Sequence, residues 1–279
     1  MNKAFKTKKA LGQHFLVDEH VIERIILAVQ PKKDQYFIEI GPGQGALTTH
    51  LLPYVRQIDA IEYDQEVIPY LSSYCKNLGN LIIHQSDVLQ FDFNTLQLPT
   101  SSRAQRGLSG FENDIVYRVV GNLPYNISTP LFFHLLKYAS HIEDMCFMIQ
   151  KEVADRITAI PGNKDYGRLT VMLQYYCATE FLFTVPPDAF APPPKVNSAV
   201  IRLIPFKRPP VLANNEQLFA ELVKKTFNFR RKVLRHVVKN YITTEHLEKS
   251  PIDLSLRPEN LSVEDFVRLS NFIEVHKKY

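Results

Sequence analysis

Tryptophan is absent from this 279-residue chain, and cysteine and methionine are scarce, with three and four residues. Cys75, Cys146 and Cys177 stand too far apart for a disulfide framework or a zinc-ligand pattern, so no structural metal is expected. No apolar run approaches the roughly 18 residues that a membrane span needs. Lysines near the start are not followed by an apolar stretch of signal-peptide type, which argues against secretion. The low hydrophobicity of a disordered chain is missing too, since 45% of residues are hydrophobic and 22% charged. These absences leave a soluble, cytoplasmic protein with one large or two ordinary domains around a real core.

The net charge of +4 is mild, but it is unevenly spread. Residues 1–33 carry seven Lys/Arg against three Asp/Glu, residues 34–206 twelve against seventeen, and residues 207–279 fourteen against nine. An acidic middle between two basic ends resembles a small-molecule chemistry domain with polyanion-binding surfaces attached. Ordinary surface variation gives the same totals, and charge alone does not separate the two.

Short apolar segments alternate with helical patterns. Tyr36 to Ile40, Gln57 to Ile61, Leu81 to Ile83, Ile115 to Val120 and Met145 to Ile149 read as strands. Ala46 to Leu52, the stretch around Val67, Ile68 and Leu71, and Pro130 to Tyr138 read as helices. That alternation predicts βαβ units and a mostly parallel, doubly wound sheet, whose ligands sit outside the carboxyl ends of its strands. Residues 99–113 are polar and rich in Gly and Ser, a surface loop. Prolines 186, 187 and 192–194 stiffen the connection over 186–198, and after Pro209-Pro210 the chain turns helical and basic. The expected boundary lies at 206, with a first domain over 1–206, including a basic arm over 1–17, and a helical domain over 207–279.

Glu39-Ile40-Gly41-Pro42-Gly43-Gln44-Gly45 follows the first of these strands. Gly41 and Gly43 permit the tight turn and close approach of backbone to a ligand, although the spacing differs from the dinucleotide fingerprint. Glu62 ends the second strand, where a carboxylate can accept from two ribose hydroxyls, and Asp87 follows the third, where it can accept from an exocyclic amine. Three such signals at successive strand ends suit an adenosyl ligand, either a dinucleotide or S-adenosylmethionine.

Gly121-Asn122-Leu123-Pro124-Tyr125-Asn126 follows the fourth strand. Hydride transfer has no use for this combination, but methylation of an exocyclic amine does. The amino nitrogen of adenine delocalises its lone pair into the ring and is a poor nucleophile. Acceptors around its two hydrogens, the Asn122 side chain and the Leu123 carbonyl, favour a pyramidal nitrogen, with Pro124 fixing the turn. Tyr125 can stack on the extruded base. Without tryptophan, the other face of the base falls to Phe190, on the proline-rich loop, unless that ring merely plugs the core beneath it.

The stretch from Lys224 to Lys239 holds seven Lys/Arg and no acid, with Phe227, Leu234, Val237 and Val238 as its apolar face. Lys224, Lys225, Arg230, Arg231, Lys232 and Arg235 are the candidate phosphate contacts, and Lys3, Lys6, Lys8 and Lys9 form a second basic arm.

With these motifs, Leu11-Gly12-Gln13-His14-Phe15-Leu16 and the loop from Phe190 to Ser198, the sequence resembles the ribosomal RNA adenine N6,N6-dimethyltransferase family, nearest its bacterial small-subunit branch. The resemblance implies a Rossmann-like α/β methyltransferase sheet with a small all-helical C-terminal domain, and S-adenosyl-L-methionine as cofactor. It implies dimethylation of N6 on two adjacent adenosines of a 3′-end hairpin of 16S rRNA, within an immature 30S subunit, by a monomer that assists small-subunit biogenesis. Positions matching His14, Leu16, Gly41, Glu62, Asp87 and Asn122 contact the cofactor in that family, and those matching Asn122, Leu123, Pro124, Tyr125 and Phe190 form the base pocket. The 35 positions from Asp87 to Asn122 exceed the family's spacing, with residues 99–113 as the extra piece. A large-subunit rRNA adenine methylase and a non-enzymatic RNA-binding assembly factor are the alternatives; intact Gly41, Glu62, Asn122 and Tyr125 oppose the second.

Overall fold

The computed structural model describes residues 13–96 and 116–278. The basic arm at Lys3 to Lys9, Leu11-Gly12 and the loop 99–113 lie outside the described residues. In chain order the elements are β1 (Phe15–Leu16), α1 (Glu19–Val29), β2 (Tyr36–Ile40), α2 (Thr48–Leu51), β3 (Gln57–Glu62), α3 (Ile68–Tyr74), β4 (Leu81–Gln85), β5 (Tyr117–Asn122), α4 (Ser128–Leu136), β6 (Ile142–Gln150) and α5 (Lys151–Ile157). Then come α6 (Arg168–Tyr176), β7 (Cys177–Val185), β8 (Phe190–Ala191), β9 (Ser198–Pro205), α7 (Glu216–Asn228), α8 (Arg235–Val238), α9 (Thr244–Glu248) and α10 (Val263–His276).

The chain divides into two compact units, Met1–Ala154 with Glu180–Pro205, and Asp155–Thr179 with Phe206–Tyr279. The expected boundary at 206 is one of the crossings, but Asp155–Thr179, assigned from sequence to the first domain, groups with the second unit. The reason is packing: α6 lies against α7 and α10, where Tyr175 and Phe219 meet at 4.7 Å between ring centroids.

The first unit is built on a sheet of order β4-β3-β2-β5-β6-β9-β7. β4, β3, β2, β5 and β6 are parallel. β9 runs antiparallel to β6, with Ser198 opposite Gln150. Every residue of β2 and β3 is buried, the polar Glu39, Gln57, Asp59 and Glu62 included, and Phe37, Ile38, Ile58 and Ala60 are wholly inaccessible. The chain winds outward from β2 through β3 to β4, then returns to β5 on the other side. The carboxyl ends of β2 and β5 therefore part at a switch point, the place where open sheets of this kind hold ligands.

α1 covers this sheet for reasons legible in its residues. Asp18 caps it by accepting from the Val21 N–H at 3.1 Å, and Val21, Ile22, Ile25 and Val29 repeat at helical spacing into the core. One charged pair is built into the sheet: Arg118 on β5 donates through Nε and a terminal nitrogen to both oxygens of Asp144 on β6, at 2.6 and 2.7 Å. Both partners are buried, so the fork geometry is what offsets their desolvation.

In the second unit α7 and α10 pack through Phe219, Leu222, Val223, Phe266 and Ile273, all buried. A reciprocal cap at Ser262 and Asp265 starts α10.

Candidate active site

The switch point opens into a cavity of about 340 Å³, within the range that binds small ligands. Its floor is the Gly-rich turn after β2. Gly41, Gly43 and Gly45 all have positive φ, and at Gly43 a Cβ would also meet the Phe15 ring at 2.9 Å. Only glycine satisfies both demands. The Gly43 N–H donates to Glu62 Oε2 at 3.1 Å, while Glu62 Oε1 accepts from the Asp64 N–H at 2.8 Å. Each oxygen keeps a second lone pair for a ligand hydroxyl. Burial pushes the Glu62 carboxyl above the usual range, against these backbone donors, which pull it down.

Asp87, on the turn after β4, accepts from the Leu89 N–H at 2.9 Å through Oδ1 and lines the cavity. Glu39, on β2, is 1% exposed and lines it as well. Its Oε2 has no hydrogen-bond partner. Burial, with the charge of Glu62 adding to it, pushes the Glu39 carboxyl up to about 7. The lining therefore holds three acids and, among the described residues, no Lys or Arg. The loop N–H at Gly43 that a phosphate would seek is already taken by Glu62. These donors and acceptors fit S-adenosyl-L-methionine, an adenosyl group bearing positive charge, and oppose the pyrophosphate of a dinucleotide. Among the described residues no group of three His, Cys, Asp or Glu is placed to hold a metal ion, and no helix is long and apolar enough to cross a membrane.

Asn122 closes β5 at the cavity's edge. Its Nδ2 donates to the His14 carbonyl at 2.9 Å, which turns Oδ1 away as the remaining acceptor. Gly121 beside it is required by close approach: a Cβ there would lie 2.5 Å from the Ile40 carbonyl oxygen on β2. The Leu123 N–H donates to Met148 at 3.0 Å, fixing the peptide whose carbonyl follows. Tyr125 is half-buried, with its hydroxyl 2.7 Å from Ser198 Oγ. Burial raises its phenol above the ordinary value, so it is protonated at neutral pH. The His14 ring stacks beside it at 5.8 Å. His14 Nδ1 lies 2.7 Å from the Pro192 carbonyl, which only accepts, so Nδ1 carries the proton.

The structure thus brings His14, Leu16, Gly41, Gly43, Glu62, Asp87, Asn122, Leu123, Pro124 and Tyr125 to one cavity. Phe190 departs from its expected place. It is 3% exposed, packs in the core cluster with Leu16 and Val21, and is not among the cavity residues. The pairing of β8 with β1, Leu16 opposite Phe190, turns the ring inward and leaves Ala191 outward. Ser198 and Glu39 are given no role by the sequence motifs that contain them; the signal for each is a polar side chain in a strand that is mostly apolar.

The basic stretch of the second unit is not one helix. α7 ends at Asn228 and α8 begins at Arg235. Three of its six candidate contacts are engaged: Lys225 with Glu221 at 2.5 Å, Arg235 with Glu248, and Arg230 with the Lys164 carbonyl at 2.6 Å. Lys224, Arg231 and Lys232 are exposed.

A family model described as ribosomal RNA adenine dimethylase matches residues 4–275. A ribosomal RNA small subunit methyltransferase A from Hydrogenovibrio crunogenus is 47% identical over 270 residues, 97% of either chain. The protein of that name from Pseudomonas aeruginosa is 47% identical over 266 residues, 95% of this chain and 94% of its own. The crystal structure of a dimethyladenosine transferase from Plasmodium falciparum aligns with a TM-score of 0.74 at 26% identity, over 92% of this chain and 96% of that one. The 23S rRNA methyltransferase ErmE shares the fold, with a TM-score of 0.65 at 24% identity over 93% and 99%. Nearly the whole length is matched, and the chain belongs to the ribosomal RNA adenine dimethylase family.

Proposed function

We propose that this protein transfers methyl groups from S-adenosyl-L-methionine to N6 of two adjacent adenosines in the 3′-end hairpin of small-subunit rRNA. The reading extends to an immature 30S subunit as substrate, a cytoplasmic location, a metal-free monomeric enzyme and a part in small-subunit biogenesis. The observation that carries it is Asn122. Its amide is tethered through Nδ2 to His14, which presents Oδ1 as an acceptor at the rim of an acid-lined cavity. A small-subunit target is supported by the relatives named for that subunit, 47% identical, against 24% for ErmE.

When bound, the cofactor supplies an electrophilic methyl on a positively charged sulfur. Glu62 would hold its ribose and Asp87 its adenine amine, while the Glu39 carboxyl faces the same cavity as a counter-charge. Asn122 Oδ1 and the Leu123 carbonyl accept the two amino hydrogens of the target adenine, which localises its nitrogen lone pair. Tyr125, pinned to Ser198, offers its ring to the base. The product nitrogen sheds its proton to water, so this chain's residues act by positioning and electrostatics rather than as a general base. With Phe190 in the core, its place is beneath the pocket, backing the strand that carries Leu16.

Glu62→Ala is expected to weaken cofactor binding about ten- to a hundredfold, as two hydrogen bonds to a charged acceptor are lost and the Gly43 turn is untied. Calorimetric titration reads this, and unchanged affinity removes Glu62 from the site. The reading as a whole is tested by incubating the protein with labelled cofactor and unmethylated small or large subunits, then analysing the rRNA by mass spectrometry. Dimethyladenosine at two neighbouring small-subunit positions is the expected product. Methylation confined to the large subunit, or none, overturns it.

A further inference from the structure

Phe229 is 49% exposed in the most cationic part of the chain. It closes α7, and its carbonyl accepts from the Lys232 N–H at 2.7 Å, so residues 229–232 form a tight turn with Arg230 and Arg231 at its centre. The turn is held from within: Arg230 reaches back to the Lys164 carbonyl at 2.6 Å and lies 3.8 Å from Glu259. His236 supports the Phe229 ring edge-on at 5.2 Å between centroids. Arg231 and Lys232 are exposed, and among the described residues neither side chain makes an ion pair or hydrogen bond.

A lone exposed phenylalanine needs no explanation. One fixed on an anchored turn beside two unengaged cations, within residues 222–244 that contain no acid, is different. Water gains nothing from that ring, and a protein partner would have to bring acids to it. An unstacked nucleotide satisfies both features at once, with its base on the ring and its phosphates on the cations. We propose that Phe229, backed by His236, is a base-stacking site for an unpaired nucleotide of the RNA, with Arg231 and Lys232 holding the adjoining phosphates. This rests on the RNA-methylating reading and names a contact outside the reaction cavity. Arg230 is thereby a support of the turn rather than a phosphate contact.

Stacking and phosphate contact differ in salt dependence, and that difference is the test. The full chain is titrated at several salt concentrations with a 3′-end hairpin RNA whose single-stranded flanks carry 2-aminopurine, and methyl transfer to small subunits is scored in parallel. Phe229→Ala should lower affinity about tenfold at every salt concentration, leave the salt slope unchanged and restore 2-aminopurine fluorescence. Phe229→Tyr should bind as the parent does. Arg231→Gln with Lys232→Gln should reduce the slope by about two. A Phe229→Ala protein that binds within twofold of the parent, or a Phe229→Tyr protein as weak as Phe229→Ala, overturns the stacking site. Absent methyl transfer by a parent that still shows these effects overturns the enzymatic reading alone.

Discussion

Asn122→Ala is expected to lower the single-turnover rate of methyl transfer by about a hundred- to a thousandfold, the loss typical when one preorganised polar group is removed from a reaction centre. The size follows from the nucleophile. An adenine amine reacts only when its lone pair is drawn out of the ring, and two acceptors fixed before the base arrives do this without reorganisation. Asn122 supplies one, held because Nδ2 donates to His14. Alanine removes the acceptor and frees the segment that carries His14, so cofactor affinity should fall as well, by less than the rate. RNA affinity should stay within a few fold, since Lys224, Arg231 and Lys232 lie in the other unit. Rate, cofactor binding and RNA binding are therefore measured on the same variant. A rate within tenfold of the parent removes Asn122 from the reaction centre. Asn122→Asp separates the two tasks: it keeps acceptors but sets a carboxylate against the His14 carbonyl, and should be nearly as slow.

What the sequence reveals here is governed by range. β2 over Tyr36–Ile40 is recovered residue for residue, because a buried strand followed by Gly-Pro-Gly is a local signal. Glu62, Asp87 and Asn122 line one cavity because strand ends in a doubly wound sheet come at predictable places. Other features depend on partners remote in sequence. β8 pairs with β1 across more than 170 residues, and that pairing decides that Phe190 points inward. β9 pairs antiparallel with β6, Ser198 opposite Gln150, a partner far back in the chain. Asp155–Thr179 belongs with the second unit through the packing of α6 on α7, which its own periodicity does not encode. The basic run from Lys224 to Lys239 has an amphipathic pattern, and its Leu234, Val237 and Val238 are buried, but the break over residues 229–234 is what exposes Phe229. Burial of Glu39 was hidden for a further reason: an acid next to a glycine turn resembles a solvated residue until the strand is seen covered on both faces.

Glu39→Gln is expected to stabilise the protein above neutral pH while weakening its hold on the cofactor. The native carboxyl titrates at about 7 against an ordinary 4.5, so over that interval the folded chain keeps a proton that the unfolded chain has lost. Stability from this group is therefore full below about pH 4.5, declines as pH rises to about 7 and is flat beyond, a total of about 3 kcal/mol for an acid this deeply buried. Two neighbours bias it: the charge of Glu62 raises the carboxyl further, and the Thr48 hydroxyl on α2 lowers it. Cys75, raised to about 11 by burial and by Glu39 itself, stays protonated throughout. Glutamine keeps the shape without the titration. Urea unfolding at pH 5.5 should find parent and variant more nearly equal than at pH 8, where the variant should be the more stable by up to the full amount. Parallel curves at both pH values would show that Glu39 is ionised without cost. Binding should run the other way. A cationic ligand in the cavity favours the carboxylate, so the parent should release a proton when the cofactor binds below pH 7, and its affinity should rise with pH to that point. In Glu39→Gln the proton release, read by calorimetry in buffers of different ionisation enthalpy, should vanish with the pH slope. A carboxyl with Oε2 unpartnered inside the sheet is then a cost carried by the empty site and recovered when a positively charged ligand fills it.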